Sequence, residues 1–292
     1  VKTLAMTIYD RTPEVINAVF HGLHLPGNRP DIIAVCYDRA PLKSIAAFQK
    51  EATKLGCQLW EIFLTDDHVG PRCPSRAWNK ALSLTDDSHV FCISSDMIMA
   101  PHSIGMAYHL AEVAPDELIV GRAEHCGMSY FWSYRIADNL EIRSRTITAS
   151  YTPDPLGFSW LMPMKRFKEV GGFDEIFMDG YCYEDSDFVI RMWRAGVDFI
   201  FCDDIMGFHL EHKRDHLKNH DGKVTVNAKI FEKRYGDVNI LKDRKFPIIS
   251  KAAGIMAFWT HEERSKFYKE TWTQQQLYGQ DEPWRAIKVE FK

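Results

Sequence analysis

Apolar and polar positions change their period several times along this chain, and the changes divide it into elements. "TLAMTI", Thr3 to Ile8, is a short apolar run that the polar Tyr9, Asp10 and Arg11 stop, which predicts a buried strand. "TPEVINAVFHGL" then spaces its apolar residues along one helical face, with Pro13 just inside the start. "DIIAVCY" (Asp31 to Tyr37) predicts a second strand ending at Asp38, "PLKSIAAFQKEATKLG" a second amphipathic helix and "QLWEIFL" a third strand. "SRAWNKALSLT" predicts a helix, and "HVFCIS" (His89 to Ser94) a fourth strand that runs into Asp96. Strand and helix alternate on short links, the pattern of an α/β fold with a mainly parallel, doubly wound sheet. Ligands of such sheets bind beyond the carboxyl ends of the strands. Asp10, Asp38 and Asp96 all fall there.

Beyond Pro101 the rhythm is lost. "ELIVGRAEH" and "RSRTITASYT" predict strands, and "PMKRFKEV" a helix. "GGFDEIFMDGYCYEDSDFVIRMWRAG" (Gly171 to Gly196) sets Glu184, Asp185 and Asp187 before an amphipathic run, in which Phe188 and Met192, and Val189 and Trp193, share a face. Acids are favoured in a first helical turn by free N–H groups and the macrodipole, and Asp187 with Arg191 forms an i,i+4 surface pair. The pattern alone leaves both a helix start and a chemical role open. "VDFIFCDDIMGFHLEHKRDH" predicts two short strands followed by histidines. From about Asp221 the sequence is polar and helical, an extension or an interface that carries Trp259, Trp272 and Trp284.

Composition narrows the classes. The chain has 292 residues, 46% hydrophobic, enough for one large domain or two small ones. A net charge of −4 gives no general attraction to nucleic acid or anionic membranes. No run reaches about 18 apolar residues, so no transmembrane segment is expected. The opening reads as a buried strand and lacks a signal-peptide pattern. Seven cysteines without a C-x-x-C pair predict reduced thiols and a soluble, cytoplasmic protein. Dinucleotide, P-loop, zincin and serine-hydrolase motifs are missing.

Five stretches, in order, resemble a family 2-type glycosyltransferase of the GT-A fold. "MTIYDR" is similar to the opening strand and turn, with Thr7 where Pro is usual. "GPRCPSRAWNKAL" resembles the segment before the metal-binding strand, with Trp78 at the usual Arg. "FCISSDM" resembles the D-x-D strand, with Ser94 at the first acid. "LMPMKRFKEVGGFDEIF…GYCYEDSDFVIRMWRAG" resembles the acceptor and catalytic-base region, and "IMGFHLEH" the late strand with a metal-ligand His. "NAKIFEKRYG" (Asn227 to Gly236) resembles the family's ending. The chondroitin and galactosyl-transferring branches are most similar, through a G-x-G-x-E-D segment in which Cys182 stands at the second Gly.

The resemblance implies a GT-A catalytic domain over 1–220, with a nucleotide-sugar half of about 1–100, an acceptor half of about 101–220, and a helical extension over 221–292. It implies an inverting, metal-dependent transfer from a nucleotide sugar, UDP foremost, of hexosyl or N-acetylhexosaminyl type, onto an acceptor hydroxyl. Asp185 would be the general base and Glu184 would bind the acceptor or orient the site. Asp96 and His209 would hold Mn²⁺ or Mg²⁺, with His212 a near alternative ligand. Thr7, Tyr9, Asp38, Arg72, Arg76, Ser94 and Ser95 would bind the nucleotide. Gly157, Trp160 and Gly180 would line the sugar or acceptor pocket. The rivals are a degenerate nucleotide-sugar binder, a sugar-nucleotide-forming nucleotidyltransferase, and a transferase acting on hydroxylated DNA bases. The last draws on the basic Lys213–Lys251 run.

Overall fold

The computed structural model describes residues 1–64, 73–127, 146–148, 159–211 and 220–236. The elements in chain order are β1 (Thr3–Ile8), α1 (Pro13–His24), β2 (Ile32–Asp38), α2 (Leu42–Leu55), β3 (Gln58–Leu64), α3 (Ser75–Leu82), β4 (His89–Ile93), β5 (Met97–Met99) and α4 (Ser103–Val113). There follow β6 (Leu118–Gly127), β7 (Thr146–Thr148), β8 (Ser159–Pro163), α5 (Met164–Glu169), a 3₁₀ turn (Glu175–Phe177), α6 (Glu184–Arg194), β9 (Phe199–Glu211) and α7 (His220–Tyr235). Thr12 caps α1 by accepting from the Val15 N–H, and Pro13 follows at the first helical position.

The strands form one sheet in the order β3-β2-β1-β4-β8-β6-β9-β5, with β7 paired to β6. β3, β2, β1 and β4 are parallel, as the alternating pattern predicts. β8 enters antiparallel to both β4 and β6, and β5 runs antiparallel to β9. Successive strand residues face opposite layers. Leu4, Met6 and Ile8 pack with α1, α2 and α4, while Ala5 joins the layer of α3, α5 and α6.

Two expectations need correction. The apolar stretch after Pro101 includes a full helix, α4, that the pattern did not predict. The two short strands expected between Val197 and the histidines are a single strand, β9, with a register shift. Gly121 pairs with Cys202 and Arg122 with Met206, so Asp203, Asp204 and Ile205 have no partner on β6. A bulge of this kind bends a strand without ending it. Gly121 makes room for it, since a Cβ there would stand 2.7 Å from the Ile205 carbonyl oxygen.

Candidate active site

The carboxyl edge of the sheet gathers Asp96 and His209, with Thr7, Tyr9, Asp38, Ser94 and Ser95 at the ends of its strands. β4 ends at Ile93, and a turn closed by the Met97 N–H on the Ser94 carbonyl leads into β5. Asp96 lies in that turn with 1% of its surface exposed. β5 pairs antiparallel with β9 so that Met97 faces His209, and the Leu210 N–H donates to the Asp96 carbonyl. This pairing brings His209 Nε2 within 3.3 Å of Asp96 Oδ1. Ser94 Oγ donates to the same oxygen at 2.6 Å. The serine at the first-acid position therefore orients the second acid.

Whether these residues suit a cation depends on their spacing and chemistry. Octahedral ligands at about 2.1 Å from an ion lie about 3 Å apart when adjacent. Asp96 Oδ1 and His209 Nε2 have that separation, are both buried, and form an O/N pair suited to Mn²⁺ or Mg²⁺. Among the described residues no third His, Cys, Asp or Glu joins them. Two protein ligands fit an ion completed by phosphate oxygens and water.

Arg11, 85 positions away in sequence, reaches Asp96 Oδ2 with a terminal guanidinium nitrogen at 2.5 Å. Its role at the site is not legible in the sequence. Its position beside the first strand was visible, but its partner depends on how β1 and β4 lie together.

The nucleotide residues divide. Asp38 is buried at the end of β2, 3.5 Å from Arg39 Nε, and the Arg39 guanidinium lies 5.2 Å from the centre of the Tyr9 ring. Thr7 and Tyr9 are half-buried and Ser95 is buried beside Asp96, while Asp10 is exposed. Arg76 is bound to Glu175 at 2.8 Å, and Asn79 shares that carboxylate, so in this structure Arg76 ties α3 to the 3₁₀ turn. Arg72, Gly157 and His212 lie outside the described residues.

A second cluster surrounds the acidic helix start. Cys182 and Tyr183 both have positive φ, +64° and +72°, just before Glu184. The Glu184 carboxylate accepts from Cys73 Sγ at 3.1 Å. Burial, and then the neighbouring charge of Asp185, push the Glu184 carboxyl up to about 7. Burial and the Glu184 charge also hold the Cys73 thiol far above its ordinary range, so it remains a donor. Asp185 is half-buried, and its Oδ1 accepts from the Ser186 N–H at 2.7 Å. Asn227 of α7 donates to the carbonyls of Phe177 and Cys182 at 2.9 and 2.8 Å, and lies 3.3 Å from Cys73 Sγ. Gly180 lies so close that a Cβ there would be 1.9 Å from Asn227 Oδ1. The resemblance around Asn227 is legible in the sequence, but this role is not.

Two further corrections follow. Trp160 does not present a face to a sugar. It is 2% exposed, and its ring stacks with Phe173 and Phe188 at 6.2 and 5.8 Å in the core. Asp187 is no surface partner of Arg191. It is fully buried, and it accepts from Arg191, Arg234 and Tyr235 at 2.7, 2.6 and 2.7 Å.

Residues 156–215, which include Gly180, Glu184, Asp185 and His209, match the family model described as the N-terminal domain of galactosyltransferase. No curated protein matches the chain. Among solved structures, the mannosyltransferase PcManGT from Pyrobaculum calidifontis, in complex with GDP-Man and Mn²⁺, is similar at TM-score 0.54 and 14% identity, over 92% of this chain and 78% of its own. S. aureus TarS 1–349, in complex with UDP-GlcNAc, is similar at TM-score 0.52 and 12% identity, over 95% and 82%. The fold is that of the GT-A glycosyltransferases. The galactosyltransferase match over residues 156–215 agrees with that fold. Six described cysteines are free thiols, and no described helix is long and apolar enough to cross a membrane.

Proposed function

We propose that this protein is a metal-dependent glycosyltransferase that moves a hexosyl or N-acetylhexosaminyl group from a nucleotide sugar, UDP foremost, to an acceptor hydroxyl with inversion. The observation that carries the reading is the convergence of Asp96 and His209, buried and 3.3 Å apart, at the carboxyl edge of the sheet. These two side chains would hold Mn²⁺ or Mg²⁺, which supplies a counter-charge to the departing nucleoside diphosphate. Asp38, Tyr9 and Thr7 would bind the nucleoside at the same edge. One similar structure holds a nucleotide sugar together with Mn²⁺, which agrees with this donor set.

Asp185 is the proposed base. It would take the proton of the acceptor hydroxyl as the oxygen bonds to the anomeric carbon, and the nucleoside diphosphate would leave with the electron pair of the broken bond. Glu184 keeps a proton well above the usual carboxylate range, and would position the acceptor as a donor. The geometry supports this division because Cys73 holds the Glu184 carboxylate, whereas the half-buried Asp185 is oriented by the Ser186 N–H. The test is a panel of UDP and GDP sugars with and without Mn²⁺, read by thermal shift and by nucleoside diphosphate release. Metal-dependent stabilisation by at least one donor, with release accelerated by a sugar acceptor, is expected. Absence of any metal-dependent donor binding would overturn the reading.

A further inference from the structure

The mechanism above leaves Arg11 without a task, although it makes the shortest charged contact to the metal-site carboxylate. Its terminal nitrogen lies 2.5 Å from Asp96 Oδ2, and the carboxylate is 1% exposed. The arrangement is anchored at both ends. The Arg11 carbonyl accepts from the buried Ser44 hydroxyl of α2, and Thr12 caps α1 directly after it. Asp96 is held in turn by Ser94, and by β5–β9 pairing through its own carbonyl.

Carboxylate and guanidinium cancel, so the Asp96 charge is already compensated by Arg11 before a cation arrives. A divalent ion held by Asp96 Oδ1 and His209 Nε2 would share that carboxylate with a second cation on its other oxygen. Water is largely excluded there, so repulsion is poorly screened and an uncompensated charge is costly. A nucleoside diphosphate carries the missing negative charge, and a guanidinium fork suits phosphate oxygens.

We propose that Arg11 makes the metal site depend on the diphosphate. It neutralises Asp96 in the absence of donor, disfavours a divalent cation alone, and gains phosphate oxygens when cation and nucleotide arrive together. The two ligands therefore bind as a coupled pair, and each tightens the other by the same factor. This inference rests on the glycosyltransferase reading, which places the diphosphate at Asp96.

Calorimetry on the full chain tests it, with Mn²⁺ titrated alone and in the presence of saturating UDP or GDP. The parent should bind Mn²⁺ weakly alone and more tightly with nucleotide, within the roughly 5–150-fold range usual for coupled sites. Arg11→Gln should tighten Mn²⁺ alone by about tenfold and shrink the nucleotide-dependent enhancement. Arg11→Lys keeps the charge and should retain coupling near the parent's. Mn²⁺ affinity in Arg11→Gln equal to or weaker than the parent's would overturn the proposal, and would make Arg11 a residue that merely orients Asp96. Should the Gln variant not fold, the Lys variant decides, because loss of its coupling contradicts a role for charge. A parent that binds neither Mn²⁺ nor nucleotide would instead remove the glycosyltransferase reading itself, and this inference with it.

Discussion

Asp96 receives contacts from three separate parts of the chain: Arg11 beyond β1, Ser94 in its own turn, and His209 on β9. Asp96→Ala should abolish Mn²⁺-dependent nucleotide-sugar binding, because Ser94 supplies only a hydroxyl in its place. Calorimetry with and without Mn²⁺ checks this, and unchanged donor affinity would move the metal elsewhere. The same variant strands the Arg11 guanidinium, so a stability loss of about 1–3 kcal/mol should accompany it. Asp185→Asn has a different expected signature. Donor binding and folding should persist while turnover falls by about 10²–10⁴-fold, the range for a lost general base. Equal activity in parent and variant would return Asp185 to a helix-start role. At this scale the sequence named Asp96, His209, Glu184 and Asp185, because ligand chemistry and motif order mark such residues. It gave no site role to Arg11, Cys73 or Asn227, whose partners lie 85, 111 and up to 154 positions away. It assigned Trp160 to a pocket because an aromatic face suits a sugar, and the local sequence does not tell an aromatic wall from an aromatic core.

The acidic helix α6 shows what an element's pattern can and cannot reveal. Its apolar face was legible, and Phe188, Val189 and Met192 do pack against the sheet. Its entry was legible only in part. The resemblance has glycine where Cys182 stands, and the φ of +64° at Cys182 gives the physical reason. A left-handed residue other than glycine costs about 1–2 kcal/mol, and glycine's greater freedom when unfolded returns part of that. Cys182→Gly should therefore raise stability by up to about 1 kcal/mol, measured by denaturant midpoint. A fall would mean that the side chain contributes packing the backbone strain conceals. Asp187 carries the opposite lesson. The i,i+4 spacing to Arg191 was correct, but α7 adds Arg234 and Tyr235 and closes the carboxylate off from water. Asp187→Asn should cost about 1–3 kcal/mol, well beyond a surface pair. The two arginines keep partial solvent access, which limits the loss. A change within about 0.5 kcal/mol would show that the buried network adds nothing over hydration.

Over the whole molecule, the first four parallel strands were readable because amphipathic helices alternate with them on short links from β1 to β4. The rest was not, because β8 inserts between β4 and β6 and β9 bends through a bulge, so spatial neighbours are no longer sequence neighbours. That assembly places Glu184 where burial and Asp185 raise its carboxyl to about 7, above the ordinary value of 4.5. The folded protein then holds a proton that the unfolded chain releases, throughout the interval between those two values. Stability linked to Glu184 is fully present below about pH 4.5 and is lost as pH rises towards 7. Other groups titrate with different signs. Burial opposes ionisation of Asp174 and Glu175, but hydrogen bonds from Ile176 and Arg234, and from Arg76 and Asn79, outweigh it and lower both, so their contribution disappears in acid. Burial lowers His102, which costs stability as pH falls through the histidine range. A difference between parent and Glu184→Gln cancels these backgrounds, since the amide does not titrate. The stability of the variant relative to the parent should increase steadily from about pH 4.5 to about pH 7 and then level off. Denaturant unfolding of both proteins at closely spaced pH values measures it. A difference that stays constant across that window would show Glu184 ionising as an ordinary carboxylate, and would withdraw the proton that the proposed acceptor contact requires.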